Sequence, residues 1–183
     1  EEALGYTVGT VARDKDGVGA ALVAADMAAW CKGRGKTLFG YLEEVQRAHG
    51  LFVARQANFT LPGASGQATI ARVMDALRTR PLSQVASWKV LATCDYLSRT
   101  RAAGGRTSSL SLPPANVLSW ELAGGARITA RPSGTEPKIK FYFECKEQMG
   151  AAESVRAARS RAQTNLDAME KDFLAQARAR GLP

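Results

Sequence analysis

The strictest pattern in this sequence is an alternation of residue types over positions 138–146. Ile139, Phe141, Phe143 and Cys145 alternate with Lys, Tyr and Glu residues. Successive side chains of a β-strand point to opposite sides, so this alternation predicts a strand with one buried and one exposed face. The chain is therefore expected to build a sheet with one face covered by another layer.

Periodicity elsewhere predicts helices and further strands around this one. Ile70, Val73, Met74 and Leu77 recur at the spacing of a helix that lies on a sheet, and Ser65 is its expected N-cap. From residue 54 on we expect an α+β fold, with an antiparallel sheet packed by helices. Its other elements are strands at 56–61, 85–96, 117–122, 127–131 and 138–146, a polar loop at 100–107, and a final amphipathic helix whose stripe contains Val155, Arg159, Ala162, Leu166, Met169 and Phe173.

The first part of the chain has a different pattern. Asp16 can cap a first helix, and a second helix starts at Thr37. Two helices alone cannot bury both of their faces, so we interpret residues 1–53 as the end of a larger α/β domain and residues 54–183 as a second domain. The chain does not open with Met, which favours a piece of a longer protein.

Composition excludes several classes of protein. The 183 residues are 45% hydrophobic and 23% charged, which is close to globular usage and excludes a disordered tail or a continuous coiled coil. No stretch approaches the ~20 apolar residues of a spanning helix. Cys31, Cys94 and Cys145 are far apart and indicate neither a disulfide framework nor a zinc site, so we expect a protein of the reducing cytoplasm.

The net charge of +8 favours an anionic ligand or partner. A basic nucleic-acid-binding module is one alternative, suggested by residues 99–106 and by the arginines of the final helix. Those charges are interleaved with alanine and spread over several elements, which argues against nucleic acid. We expect Trp30, Trp88 and Trp120 to be core residues, and His49 to lie at the negative end of a helix dipole without a catalytic role.

The segment that carries chemistry is the loop at 131–137, Arg-Pro-Ser-Gly-Thr-Glu-Pro, between two predicted strands. Arg131 offers a planar fork of donors for two phosphate oxygens. Ser133 and Thr135 add hydroxyl groups, and Gly134 allows consecutive amides to converge on an anion without a side chain in the way. These residue types predict a phosphate site, although loops rich in Ser, Gly and Pro also occur for conformational reasons alone.

Two segments resemble motifs of one known superfamily. The Arg-x-Ser-Gly-Thr-Glu-Pro loop, followed by Lys-x-Lys and alternating aromatics up to Glu144, resembles the phosphate-binding loop of the α-D-phosphohexomutases, the superfamily of phosphoglucomutases and phosphomannomutases. Residues 1–6 resemble the sugar-binding loop of the preceding domain, and residues 13–17 resemble the motif that follows it. The resemblance spans essentially the whole chain and implies the end of domain 3 followed by domain 4, which has a TATA-binding-protein-like fold in this superfamily.

The resemblance also implies roles for individual residues. Glu2 matches the glutamate that binds two adjacent sugar hydroxyls, and Lys15 matches a basic residue near the bound sugar phosphate. Leu4 departs from the serine that many hexomutases carry, and an apolar residue there also occurs in phosphopentomutase-like relatives; this predicts weak discrimination between sugars that differ at one hydroxyl. Four loop residues would hold the phosphate that is not being transferred: Arg131, Ser133, Gly134 and Thr135.

The implied reaction interconverts sugar 1-phosphates and sugar 6-phosphates through a bisphosphorylated intermediate; a phosphopentomutase is the alternative. In the superfamily a phosphoserine in domain 1 transfers the phosphoryl group, an Asp-rich loop in domain 2 holds Mg²⁺, and glucose 1,6-bisphosphate is the activator. This sequence has neither the serine motif nor that loop, so none of its residues is expected to be catalytic or to bind metal. The expected partners are the phosphosugar and domains 1 and 2 of the same polypeptide, and the chain alone is predicted to be inactive.

Overall fold

The structure is a computed structural model that describes residues 5–183. Over these residues the helices are α1 (Gly17–Lys32), α2 (Leu38–His49), α3 (Ala64–Thr79) and α4 (Val155–Arg178). The strands are β1 (Leu51–Thr60), β2 (Gln84–Val85), β3 (Trp88–Asp95), β4 (Thr100–Ala103), β5 (Arg106–Ser109), β6 (Leu118–Leu122), β7 (Arg127–Pro132) and β8 (Lys138–Glu147). The chain divides into two compact units between His49 and Gly50, ahead of the predicted boundary after residue 53, because residues 51–53 already belong to β1. None of these helices is long and apolar enough to cross a membrane.

Local signals determine both helices of the unit that ends at His49. The Asp16 carboxylate accepts a hydrogen bond from the Gly19 amide at 2.8 Å and caps α1. The Thr37 hydroxyl accepts one from the Gly40 amide at 3.0 Å, at the start of α2. Side-chain caps of this kind satisfy amides that have no partner within the helix. The two predicted helices are confirmed.

Many apolar side chains of this unit are exposed. Phe39 is 84% exposed and Leu22 is 71% exposed. Trp30, predicted to be a core residue, is 41% exposed; its ring centroid lies 5.2 Å from that of Tyr41, and the Arg34 guanidinium lies 4.0 Å above it. The prediction for Trp30 is wrong over the described residues, because two helices cover only part of a ring this large.

The unit that begins at Gly50 is built around one antiparallel sheet. Its strand order is β1-β8-β7-β6-β3-β4-β5, and β2 pairs with β3 outside this path. β8 lies between β1 and β7, and its pairing with β1 runs from Leu51 opposite Glu147 to Thr60 opposite Lys138. The four apolar residues of the alternating segment are at most 2% exposed, so the predicted alternation of β8 is confirmed.

β1 begins at Leu51, well ahead of the strand predicted at 56–61. Its first half contains a charged residue, Arg55, which interrupts the apolar pattern in the sequence. In the fold this side chain reaches α4, where its guanidinium lies 2.6 Å from Asp167 and 2.7 Å from Glu170. The strand therefore includes Arg55, whose ion-pair partners in α4 are distant in sequence.

The segment 100–107, predicted to be a polar loop, is a β-hairpin formed by β4 and β5. Gly104 and Gly105 have φ angles of 55° and 75°, the left-handed conformation that a two-residue hairpin turn of this type requires. β5 lies at the edge of the sheet, and all four of its residues are exposed. An edge strand without a buried face has no apolar alternation for sequence analysis to detect.

α3 and α4 pack on one face of the sheet and enclose the core. The ring of Phe173 in α4 contacts three rings of the sheet, with centroid distances of 5.2 Å to Trp120, 5.4 Å to Phe141 and 5.7 Å to Phe143. These four rings are fully buried, and Trp88 packs half-buried against the same core. The predicted α+β class, an antiparallel sheet packed by helices, is confirmed.

Two details of these helices differ from prediction. α3 has Gly63 as its N-cap and no side-chain cap, so Ser65 lies inside the first turn. In α4 the buried stripe passes through Ala158, whereas Arg159 is exposed. Ala158 packs with Leu51 at the start of β1, where a small residue allows the helix to approach the sheet.

We predict that Phe173→Ala destabilises the protein by about 3–5 kcal/mol, because the change removes a large buried ring and leaves a cavity between three others. The measurement is the free energy of unfolding in urea. Phe52→Ala is the matched control: Phe52 is 62% exposed, and its loss should cost less than about 1 kcal/mol. Equal costs for the two variants would contradict this assignment of the core.

Candidate functional site

Residues 133–137 of the predicted phosphate loop at 131–137 join β7 to β8, whereas Arg131 and Pro132 belong to β7. Pro132 and Ile139 form the last pair of the two strands, and the Ser133 amide donates to the Lys138 carbonyl at 2.8 Å. The two strands are therefore hydrogen-bonded to each other up to the residues at which the loop begins and ends. This pairing restrains both ends of the loop.

Inside the loop, the Ser133 hydroxyl is turned toward the backbone. Its Oγ lies 3.4 Å from the amide nitrogen of Thr135 and 3.2 Å from that of Glu136, and both amides donate to it. Successive amides that converge on one point form a concavity suited to an anion. The structure thus brings Ser133 and Thr135 together, with Glu136 supplying the second converging amide.

Gly134 leaves space open in front of the loop. A Cβ atom at this position would have no heavy atom of the described residues within 4 Å, and the φ of Gly134 lies outside the left-handed region. The fold itself therefore does not require a glycine here. A side chain would only occupy the open space next to the converging amides.

The end of the loop is anchored to the corner between β1 and α3. The Leu61 amide donates to the Pro137 carbonyl at 2.8 Å. Gly66, in the first turn of α3, approaches the same corner so closely that a Cβ on it would lie 1.8 Å from the Leu61 carbonyl oxygen. Sequence analysis did not identify this contact; its only signal was a second glycine shortly after Gly63.

Arg131 and Lys140 lie on the face of the sheet that neither α3 nor α4 covers, which we call the open face. They are directly opposite each other on β7 and β8. Neither has an ion-pair partner among residues 5–183, whereas Arg127, on the same face of β7, lies 2.6 Å from the Glu144 carboxylate. Uncompensated positive charge therefore lies beside the loop and favours an anionic ligand.

A cavity of about 220 Å³ borders the loop on the side of the helices. Ser133, Gly134 and Glu136 line one side of it, and Gln67 of α3 and Asn116 lie among the remaining lining residues. The lining combines these polar groups with apolar side chains, among them Ile70 and Pro132, and Glu136 contributes a carboxylate. The loop can thus be approached from this cavity as well as from the open face.

The sugar-binding residues predicted from the resemblance lie in the other part of the chain. Glu2 and Leu4 fall outside the described residues, so their roles stay predictions. Lys15 belongs to the unit that ends at His49, and its ammonium lies 3.1 Å from the Asp14 carboxylate. This hydrogen bond holds the pKa of Asp14 below its ordinary value, and the role of Lys15 also stays a prediction.

The described residues contain no metal centre. Within residues 5–183 no three His, Cys, Asp or Glu side chains are grouped so that they could hold an ion. Cys31, Cys94 and Cys145 are buried free thiols. Burial raises the pKa of Cys94 and brings that of Cys145 to about 11, so these two thiols stay protonated and are poor nucleophiles.

A second charged cluster on the open face is internally neutralised. Arg101 of β4 donates two hydrogen bonds to the Glu121 carboxylate of β6, at 3.0 and 2.5 Å, and the Cys94 thiol lies 3.6 Å from the same carboxylate. The bonds from Arg101 hold the pKa of Glu121 below its ordinary value. This cluster differs from Arg131 and Lys140, whose charges have no ion-pair partner in the part of the chain that the structure describes.

Comparisons with known proteins find similarity to one family, and the part of the chain that matches its model lies within the unit that begins at Gly50. Residues 89–162 match the family described as the phosphoglucomutase/phosphomannomutase C-terminal domain. The chain is 37% identical over 147 residues to a probable phosphomannomutase of Haemophilus influenzae, an alignment that covers 80% of this chain and 27% of that protein. It is 36% identical over 145 residues to a phosphoglucomutase of Staphylococcus haemolyticus, covering 78% of this chain and 26% of that protein. The chain thus spans about a quarter of the length of these curated relatives.

One solved structure shares the fold. The open form of the exocytosis-sensitive phosphoprotein pp63/parafusin from Paramecium, a phosphoglucomutase, superimposes with a TM-score of 0.52 over 91% of this chain and 28% of its own. The sequence identity is 18%, so this likeness concerns the fold alone.

We predict that Gly66→Ala destabilises the protein by more than about 1 kcal/mol, although alanine normally stabilises a helix relative to glycine by about that amount. The reason is the collision with the Leu61 carbonyl. Unfolding in urea measures it. Gly134→Ala is the matched control and should change stability by less than about 0.5 kcal/mol; a neutral Gly66→Ala would contradict the close approach.

We also predict that part of the stability is lost on acidification because of Glu121. Its pKa is lowered in the folded state, so the contribution of its ion pair is present above the ordinary carboxyl pKa and is lost as the pH falls through the lowered value. Glu121→Gln should cost up to about 1 kcal/mol near neutral pH and should flatten the decline in unfolding free energy between about pH 5 and 3. Asp75→Asn, on α3, serves as control, and an unchanged slope in Glu121→Gln would refute the prediction.

Proposed function

We propose that the chain belongs to the phosphoglucomutase/phosphomannomutase family, to which its matches point, and that it forms the phosphate-binding part of an enzyme that interconverts sugar 1-phosphates and sugar 6-phosphates. The unit that begins at Gly50 corresponds in this proposal to domain 4 of the family. The unit before it corresponds to the end of domain 3. Domains 1 and 2 of the same polypeptide are the proposed partners, and a phosphosugar is the proposed substrate.

The unpaired cations beside the converging amides of the loop carry this proposal. Arg131 and Lys140 are adjacent, and their charges are not neutralised by the protein over residues 5–183. The amides of Thr135 and Glu136 already meet at the Ser133 hydroxyl. Charge-assisted hydrogen bonds and amide concavities are the two devices by which proteins hold phosphate. Both occur here at one end of the sheet.

The contribution of this unit to the reaction is the positioning of the substrate. Arg131, Ser133, Gly134 and Thr135 hold the phosphate that is not being transferred, so the other phosphate points away from this unit. A sugar that carries phosphates at both ends can turn round and present either one to the same loop. Holding reactants in place in this way lowers the entropic part of a barrier without any bond being made by the loop.

The sugar is the second contact in this proposal. Glu2 accepts hydrogen bonds from two neighbouring hydroxyls, for which one carboxylate with two oxygens is suited. Lys15 supplies positive charge near the sugar phosphate. Hexose phosphates are the proposed substrates, and a pentose phosphate is the alternative that the apolar Leu4 favours.

The Mg²⁺ of the family does not fit the residues described here, because residues 5–183 offer no group of ligands for it. When bound elsewhere in such an enzyme, the ion stabilises the charge of the transferred phosphoryl group. The 183-residue chain alone is accordingly expected to show no mutase turnover with glucose 1-phosphate, Mg²⁺ and the activator glucose 1,6-bisphosphate.

We predict that Arg131→Met lowers kcat/KM of the complete enzyme for glucose 1-phosphate by roughly 10- to 100-fold, because charge-assisted hydrogen bonds to the phosphate are lost. Steady-state kinetics measure it. Arg127→Met is the matched control, since it removes the same charge from the same face of the same strand. The control should change kcat/KM less than about threefold, because an exposed ion pair contributes little.

A second variant separates binding from folding. The Cβ of Gly134→Ala would meet no heavy atom of residues 5–183 within 4 Å, so a loss of phosphate binding without a loss of stability would report contact with the ligand. Folded Arg131→Met enzyme with full activity, or equal losses in Arg131→Met and Arg127→Met, would contradict the proposed phosphate site.

A further inference from the structure

A pair of amide side chains lies beside the two unpaired cations of the open face. Asn58 of β1 is opposite Lys140 of β8, which is itself opposite Arg131 of β7. The three side chains therefore form one row on the same face of the sheet. Directly opposed residues have Cβ atoms about 5 Å apart, so Asn58 lies about 10 Å from Arg131 along this row.

A hydrogen bond sets the orientation of the Asn58 amide. The Nε2 of Gln56 donates to the Oδ1 of Asn58 at 2.5 Å. Since Oδ1 is occupied, the Nδ2 amino group keeps two hydrogens for another partner. No acceptor among residues 5–183 takes them, and the Asn58 side chain is exposed on the open face. The protein thus presents an oriented donor next to its uncompensated charge.

The chemistry of this donor suits a hydroxyl group beside a phosphate. A carboxylate opposite Lys140 would pair with it and compete with an anion, as Glu144 does with Arg127 on the same face. An amide leaves the positive charge of Lys140 available. A phosphate held at Arg131 and Lys140 leaves the rest of its ester within one strand spacing, about 5 Å, of Asn58.

We propose that Asn58 is a specificity residue, which donates a hydrogen bond from Nδ2 to a hydroxyl of the sugar whose phosphate is held at Arg131 and Lys140. This inference rests on the proposed function and assigns to the same site a contact with the sugar from the phosphate-binding unit itself. Gln56 is a positioning residue. Without its donor, Asn58 can rotate and turn its acceptor oxygen to the ligand.

The test compares two probes on the 183-residue chain, inorganic phosphate and glucose 6-phosphate, with dissociation constants from NMR titration. Asn58→Ala should weaken glucose 6-phosphate binding about fivefold, the value of one neutral hydrogen bond, and leave inorganic phosphate within about twofold. Gln56→Met should weaken only the sugar phosphate, by less than Asn58→Ala does. Gln163→Ala, which removes an amide from α4 on the covered side of the sheet, is the control and should change neither constant.

The outcomes separate this inference from the proposed function. If the unmodified chain binds both probes and Asn58→Ala changes neither, or changes both equally, the role of Asn58 is overturned while the phosphate site stands. If Gln163→Ala weakens glucose 6-phosphate as much as Asn58→Ala does, the role is overturned as well. If the unmodified chain binds neither probe at the loop, the proposed function and this inference both fail.

Discussion

The larger unit depends on how one strand, β8, divides its side chains between the two faces of the sheet. Phe141 and Phe143 lie on the helix side and pack against Phe173 of α4. Lys140, which directly precedes Phe141 in sequence, lies on the open face beside Arg131. Because successive side chains of a strand alternate, the packing that buries the two rings also fixes where the cation lies. The core residues and the candidate site residue therefore lie on opposite faces of β8, and a shift of its register by one residue would destroy both arrangements.

The candidate phosphate loop is held by backbone contacts at both of its ends. The Ser133 amide bonds to the Lys138 carbonyl beneath it, and the Leu61 amide bonds to the Pro137 carbonyl beside it. The close approach of Gly66 to Leu61 keeps the second contact in place. The converging amides of Thr135 and Glu136 donate to the Ser133 hydroxyl and take no part in these two anchoring bonds, so an anchored base and an open face occur together.

Sequence analysis predicted the elements whose signals are local. The Asp16 cap, the alternation of β8 and the α+β class follow from residue types within one element. The residues of the candidate phosphate loop were proposed from their chemistry and from resemblance to one superfamily, and the comparisons find similarity to that same superfamily. The hairpin of β4 and β5 was missed because an edge strand has no buried face. Trp30 was misassigned because its expected covering layer is not formed by α1 and α2.

By itself, the sequence determined the helices and most of the strands, apart from the hairpin of β4 and β5 and the first half of β1. It also determined which face of β8 is apolar, and that a loop rich in candidate phosphate-binding groups follows β7. Only the tertiary structure decided which strands lie beside β8. The strand order places Asn58 opposite Lys140. The tertiary packing allows Arg55 to form an ion pair with Asp167 and brings Gly66 into close contact with Leu61. The physical reason is that alternation is a property of neighbouring residues. The order of the strands and the close contacts between elements, in contrast, arise when surfaces that are distant in sequence are buried against each other. No local sequence pattern indicates which surface a given element will contact.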